Sequence, residues 1–112
     1  MNGQGPKPGS LQISSALADG AVEVSLQGEL DLSSARQMEE RFAAIDEQGP
    51  TRVVVDLARL LFMDSSGLRV LLLADARARE HGYELVLRPG RDSVQRVFEM
   101  TGALDIFHFE SA

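Results

Sequence analysis

Carboxylate and hydroxyl side chains stand together at residues 64–67, which read Asp-Ser-Ser-Gly. Serine hydroxyls can accept a phosphate, and both Asp and Ser also satisfy the free amide groups at the start of a helix. Position alone favours helix capping. Two features indicate a further role: three consecutive capping residues exceed the need of one helix, and Gly67 in its first turn costs about 1 kcal/mol. We predict that Gly67 lets a second chain approach the backbone closely.

The other reactive side chains do not form a catalytic set. Asp56 follows a β-branched run, where response-regulator receivers carry their phospho-acceptor, but receivers also need a late lysine and Lys7 is the one lysine of this chain. His81 and His108 are far apart in sequence and lack clustered ligands, so we expect no metal site. The sequence contains no cysteine, phosphate-binding loop or nucleophile elbow. We therefore expect a protein that is not an enzyme and needs no cofactor.

Length and charge restrict the remaining function classes. A chain of 112 residues with 44% apolar side chains can bury one core, in a single domain. Its net charge of −6 argues against binding nucleic acid or an anionic membrane surface, both of which need a basic footprint. The longest apolar run, residues 70–74, is too short to span a bilayer, and no charged-then-apolar leader opens the chain. We expect a soluble, cytoplasmic protein.

The first half of the chain has the pattern of two strands and a helix. Apolar residues alternate over 11–17 and again over 22–26, and the Asp-Gly pair at 19–20 predicts a hairpin turn between them. Apolar residues three or four apart predict a helix over 34–47. Glycine and proline at 49–50 end it.

The start of this first helix has several candidate caps. Ser34, with Gln37 three residues later, has the form of a capping box. Ser33 or Asp31 could cap the helix instead.

The second half alternates strands with helices. The β-branched run at 53–55 predicts a central strand covered on both faces, followed by a connection rich in leucine. Helices are predicted over 64–80 and from Asp92 to Gly102, with strands over 83–87 and 106–109.

The order ββαβαβαβ requires crossover connections and therefore a mainly parallel sheet. We predict an α/β fold: a single mixed β-sheet of about five strands with an N-terminal antiparallel hairpin, packed with three to four helices. Residues 1–10, rich in glycine and proline, are predicted to form a flexible N-terminal tail, and residues 11–112 the domain.

Three stretches keep the order and rough spacing of a known family over about residues 11–110. They are Gly-Glu-Leu-Asp at 28–31, the block at 53–68, and Arg-Val-Phe-Glu-Met-Thr-Gly at 96–102. The most specific part is Phe-Met-Asp-Ser-Ser-Gly-Leu at 62–68. On these residues the chain resembles the STAS domain family, and specifically its bacterial anti-anti-sigma factors, also called anti-sigma factor antagonists.

The resemblance implies a phosphorylation switch. In that family the first serine after the aspartate is phosphorylated by a partner that is both a serine kinase and an anti-sigma factor, and here that serine is Ser65. The unphosphorylated form would bind the kinase and free the sigma factor, and a serine phosphatase would restore it. The implied role is regulation of transcription in a stress response.

Helical geometry predicts which face of the second helix meets a partner. Gly67, Val70, Leu71, Ala74 and Ala78 share one face, expected to be the core face. Ser65 lies on the other side with Arg69, Leu72 and Ala76, flanked by Leu68 and Leu73. A phosphate on Ser65 beside Asp64 would repel or block a partner there. The predicted partner-binding residues are Asp31, Asp64, Ser66, Gly67, Leu68, Arg69 and Leu72.

Two alternatives remain open. A neighbouring segment could cover Leu72 and Leu73, which would remove the outward apolar stripe. The domain could also be a constitutive scaffold or adaptor of a stress-sensing or lipid-transport assembly, in which Ser65 is never phosphorylated. A small-nucleotide binder is a weaker third hypothesis, and the intact Asp-Ser-Ser-Gly motif favours the phosphorylation switch.

Overall fold

The computed structural model describes residues 10–110. The predicted tail falls on residues that, apart from Ser10, lie outside this range. The elements in chain order are β1 Leu11–Ala18, β2 Ala21–Leu30, α1 Ala35–Glu47, β3 Arg52–Met63, α2 Ser65–His81, β4 Glu84–Arg88, α3 Asp92–Thr101, a 3₁₀ turn Ala103–Asp105, and β5 His108–Phe109.

The five strands form one sheet in the order β1-β2-β3-β4-β5. β1 and β2 are antiparallel, and every later pair is parallel. Because each parallel connection contains a helix and such crossovers are right-handed, α1, α2 and α3 pack on the same face of the sheet. The hydrophobic core lies between this face and the helices. The predicted fold class is confirmed.

The first hairpin turns at the predicted pair. Asp19 has φ 55° and Gly20 has φ 80°, both in the left-handed region that a two-residue type I′ turn requires. Ala18 pairs with Ala21 directly across the turn.

The third strand is much longer than the three residues that its sequence predicts. It continues through the leucine-rich segment to Met63, where we expected a connection. The pairing of β3 with β2 is irregular at two points. Near each point two consecutive residues are exposed, Ala58–Arg59 and Leu61–Phe62, so buried and exposed residues do not alternate regularly along the strand. At the first, the Asp56 carboxylate accepts a hydrogen bond from the Ala58 amide at 2.9 Å.

Residues 53–55 of β3 are buried on both faces, as predicted, although the described helices pack against one face alone. Within residues 10–110, the face opposite the helices carries charged side chains instead. Val54 on that face pairs with Glu23 and Val86 and is only 4% exposed, so the side chains of the sheet itself bury it. Arg88 at the end of β4 contacts Glu23 of β2 at 3.0 Å and Glu110, just after β5, at 2.9 Å, which connects these segments across this face.

Candidate functional site

Two strand ends place the carboxylates of Asp31 and Asp64 at one edge of the sheet. Leu30 at the end of β2 pairs with Met63 at the end of β3, and the Asp64 amide donates to the Leu30 carbonyl at 3.3 Å. The residues that follow these strands, Asp31 and Asp64, are therefore neighbours. Because α1 and α2 also begin here, this edge collects two helix N-termini and the loops that lead into them.

Asp64 alone caps α2. Its backbone is extended, and its Oδ1 accepts hydrogen bonds from the Ser66 amide at 2.9 Å and the Gly67 amide at 3.1 Å. Ser65 is the first helical residue and is exposed. Within residues 10–110 its hydroxyl makes no hydrogen bond, so Ser65 does not contribute to the cap and is open to modification.

Gly67 makes its close contact inside the domain. A Cβ atom at this position would lie 2.4 Å from the Leu30 carbonyl oxygen and 2.9 Å from Cγ of Met63. The predicted approach of a second chain at Gly67 is therefore wrong: the backbone of this chain's own β2 occupies that space. The glycine lets α2 start directly against the two strand ends, and so fixes where Ser65 stands.

The structure also contradicts Leu68 as a partner contact. Its side chain is 5% exposed and belongs to the hydrophobic core. The reason is that α2 is the middle helix of three, packed against the sheet below it and against α1 and α3 on its flanks. Its buried surface is therefore wider than the single stripe that helical periodicity indicates. The predicted core residues of that stripe, from Gly67 to Ala78, are all buried as expected.

The outward side of α2 is partly as predicted. Ser65, Arg69 and Ala76 are exposed, whereas Leu72 is half-buried and packs against the core. Leu73, which the sequence places at the flank, is 48% exposed. One alternative was that a neighbouring segment covers both Leu72 and Leu73. Neighbouring residues cover part of Leu72 but leave Leu73 half-exposed. The partner-binding roles of Asp31, Asp64, Ser66, Arg69 and Leu72 stay predictions.

The loop before α1 is organised by Asp31. Its Oδ1 accepts hydrogen bonds from the Ser33 hydroxyl at 2.6 Å, the Ser33 amide at 2.9 Å and the Ser34 amide at 3.3 Å. These bonds, the Ser33 hydroxyl first among them, lower the pKa of Asp31, so the edge keeps a negative charge. The predicted capping box is wrong, because Ser34 makes no side-chain cap and the Gln37 amide instead donates to the Leu11 carbonyl at 3.0 Å. The alternative that named Asp31 describes the loop better.

Sequence reasoning missed two exposed apolar residues beside Ser65. Leu32 is 78% exposed in the loop between β2 and α1, and Phe62 at the end of β3 is 47% exposed. The signal for Leu32 was available: a leucine between Asp31 and Ser33 fits neither a strand alternation nor a helical stripe. Phe62 was hidden by the irregular pairing of β3.

A groove of about 270 Å³ separates the first turns of α1 and α2. Leu32 lies at its end, Ser66 and Val70 line its α2 side, and two arginines, Arg36 and Arg69, border it from opposite helices. Ser66 in this groove, the α1–α2 groove, directly follows the exposed Ser65 in the chain.

A family model described as "Mlab, STAS domain" matches residues 13–107, nearly all of the described chain. The chain belongs to the STAS domain family. Over 89 residues it is 43% identical to "Putative anti-sigma factor antagonist BtrV" of Bordetella bronchiseptica, covering 80% of this chain and 77% of that protein. It is 29% identical over 99 residues to "Anti-sigma-B factor antagonist" of Staphylococcus aureus, covering 88% and 92%.

A solved structure agrees with these sequence matches. The anti-sigma factor antagonist from Mycobacterium paratuberculosis superposes on this STAS domain with a TM-score of 0.80 at 27% identity, covering 95% of this chain and 90% of that one. No helix within residues 10–110 of the STAS domain is long and apolar enough to cross a membrane. The site offers an exposed hydroxyl at Ser65, at the sheet edge that carries Asp31 and Asp64, with a groove bordered by two arginines beginning at the next residue.

Proposed function

We propose that this STAS domain is an anti-sigma factor antagonist of the bacterial cytoplasm. Its unphosphorylated form binds an anti-sigma factor that has serine kinase activity, and this binding frees the sigma factor. Phosphorylation of Ser65 switches the binding off, and a serine phosphatase restores it. The relatives in Bordetella bronchiseptica and Staphylococcus aureus carry the antagonist name, and their matches cover most of both chains, which supports the first part of the proposal.

One observation carries the switch: Ser65 is exposed and does not cap its helix. Asp64 holds the first amides of α2, so the Ser65 hydroxyl can be modified without removing a bond that the fold needs. A serine that served as the cap would be a poor target, because modifying it would cost about 1 kcal/mol of helix stability. Helix capping alone therefore does not explain the presence of Ser65 in the motif.

The transfer itself requires little from this domain. The Ser65 oxygen forms a bond to the γ-phosphorus of ATP, the bond from that phosphorus to the bridging oxygen breaks, ADP leaves, and the serine proton passes to a base of the kinase. The domain is the substrate, and it supplies an accessible hydroxyl on a rigid helix start.

The added phosphate changes the charge of the edge more than its shape. It brings a charge of about −1.5 to −2 next to Asp64 and Asp31, whose carboxylate is held ionised by the Ser33 hydroxyl. Since the Asp64 cap does not involve the Ser65 hydroxyl, α2 keeps its start. The partner is rejected by local charge at a largely unchanged surface.

The test is incubation with ATP and the small ATPase-fold serine kinases of the host, followed by phosphopeptide mapping. The expected result is one phosphate on Ser65, with Ser65→Ala unlabelled. Ser66→Ala is the matched control and should still carry its phosphate on Ser65, because the Ser66 amide, not its hydroxyl, makes the cap bond.

Phosphate on Ser66, or equal labelling of Ser65→Ala, would contradict the site. A chain that binds its partner equally well before and after kinase treatment, with no label, would instead support the constitutive adaptor.

A further inference from the structure

Two arginines face the α1–α2 groove without a partner. Arg36 lies in the first turn of α1 and Arg69 in the second turn of α2, and both are exposed. Within residues 10–110 neither makes an ion pair or a hydrogen bond, whereas Arg77 and Arg88 elsewhere in the domain each bind carboxylates. Arg36 also stands near the positive end of a helix dipole, which is an unfavourable place for a cation. Two unpaired arginines at one groove can bind an anionic group that is absent from the unmodified domain.

The start of α2 has few donors left for a phosphate on Ser65. The Ser66 and Gly67 amides donate to the Asp64 carboxylate, and the Leu68 amide donates to the Asp64 carbonyl at 3.0 Å. A phosphate has three strong acceptor oxygens that need donors. Since the helix amides are already bonded, side chains must supply most of them.

Arg69 is placed to do so. Residues four apart on a helix have Cβ atoms about 5–6 Å apart on the same side, and Arg69 follows Ser65 by four. A guanidinium offers a planar fork that matches phosphate oxygens in pairs. We propose that Arg69, assisted by Arg36 across the groove, binds the phosphate of phosphorylated Ser65 within the same chain.

This inference deepens the proposed function and rests on it only in taking Ser65 as the modified residue. In the unphosphorylated domain the two arginines are free to meet acidic groups of the partner. After modification the phosphate binds both arginines. The partner's acidic groups then lose two cationic contacts and face an added negative charge. The switch then acts by neutralisation as well as by repulsion.

The test places phosphoserine at position 65 by genetic encoding, so that no kinase is needed. The second ionisation of the phosphate, near pH 6, is followed by ³¹P NMR in the parent and in Arg69→Gln. Arg69 favours the dianion, so its removal should raise the titration midpoint by about 0.2–0.4 units. Arg36→Gln should raise it by less. Arg96→Gln, an exposed arginine on α3, is the matched control and should leave the midpoint unchanged.

The carboxylates that face the phosphate are the same in every variant. They are Glu39, which lines the groove, Asp64, which caps α2, and Asp31, which lies at the same edge of the sheet. A midpoint in Arg69→Gln equal to that of the parent would overturn the inference, whatever any kinase does to Ser65. A midpoint shift in a chain that no host kinase phosphorylates would support the arginine site and contradict the proposed function.

Discussion

Replacing Gly67 by alanine tests how α2 is seated on the strand ends. The new Cβ would stand 2.4 Å from the Leu30 carbonyl oxygen and 2.8 Å from Cγ of Leu30, distances at which atoms must move. Overpacking of this kind costs about 1–3 kcal/mol, and a clash with backbone belongs at the upper end. Alanine also gains about 1 kcal/mol of helix propensity over glycine. The expected net loss is about 2 kcal/mol.

For a domain of this size that loss corresponds to a melting temperature lower by about 8–16 °C, measured by circular dichroism. Ser66→Ala is the control in the same turn. It keeps the backbone amide that donates to Asp64 and should melt within about 4 °C of the parent. If Gly67→Ala melts with the parent, α2 is not held by this contact. A loss of partner affinity alone would then return Gly67 to the role of admitting a second chain.

Three further perturbations test the core face, the edge and the open face of the sheet. Leu71→Asp should unfold the domain because it buries an unpaired charge, whereas Leu73→Asp, at a half-exposed position, should shift the melting temperature by only a few degrees; equal melting would contradict the assigned helix faces. Leu32→Ala should weaken partner binding about tenfold in calorimetry without changing thermal stability, because this side chain is 78% exposed and the proposed partner would bury it. Arg88 lowers the pKa of Glu23 through a hydrogen bond. This pair therefore stabilises the fold at pH values above the usual glutamate pKa of 4.5, and the stabilisation disappears as the pH falls through the lowered pKa. Urea unfolding of Glu23→Gln should therefore lie below the parent near pH 7 and converge with it in acid; a constant difference across this range would refute the linkage.

The parts of the site that sequence reasoning found are those set by local chemistry. Asp64 begins α2 because caps depend on a few adjacent residues. The Asp-Gly turn at residues 19–20 follows from the same kind of local rule.

The parts it missed depend on packing between distant segments. Leu68 is buried because α2 lies between α1 and α3, and the periodicity of α2 carries no mark of its neighbours. The predicted β3 is too short because the pairing of β3 with β2 is irregular. At each irregularity the two faces of the strand exchange places, so its residues do not alternate regularly between buried and exposed. Leu32 fits no periodic pattern, and only its exposure in the fold shows its place at the site.

The central claim is that a phosphate on Ser65 switches partner binding at an otherwise unchanged fold. The most direct measurement is the affinity of the purified anti-sigma kinase for the unphosphorylated domain and for the domain with phosphoserine at position 65, together with the melting temperature of each. Lost contacts and repulsion at a desolvated edge should cost about 2–4 kcal/mol, a loss of about 30- to 1000-fold in affinity. The two forms should melt within a few degrees of each other. Equal affinities would contradict the switch, and a large fall in the melting temperature would contradict an unchanged fold.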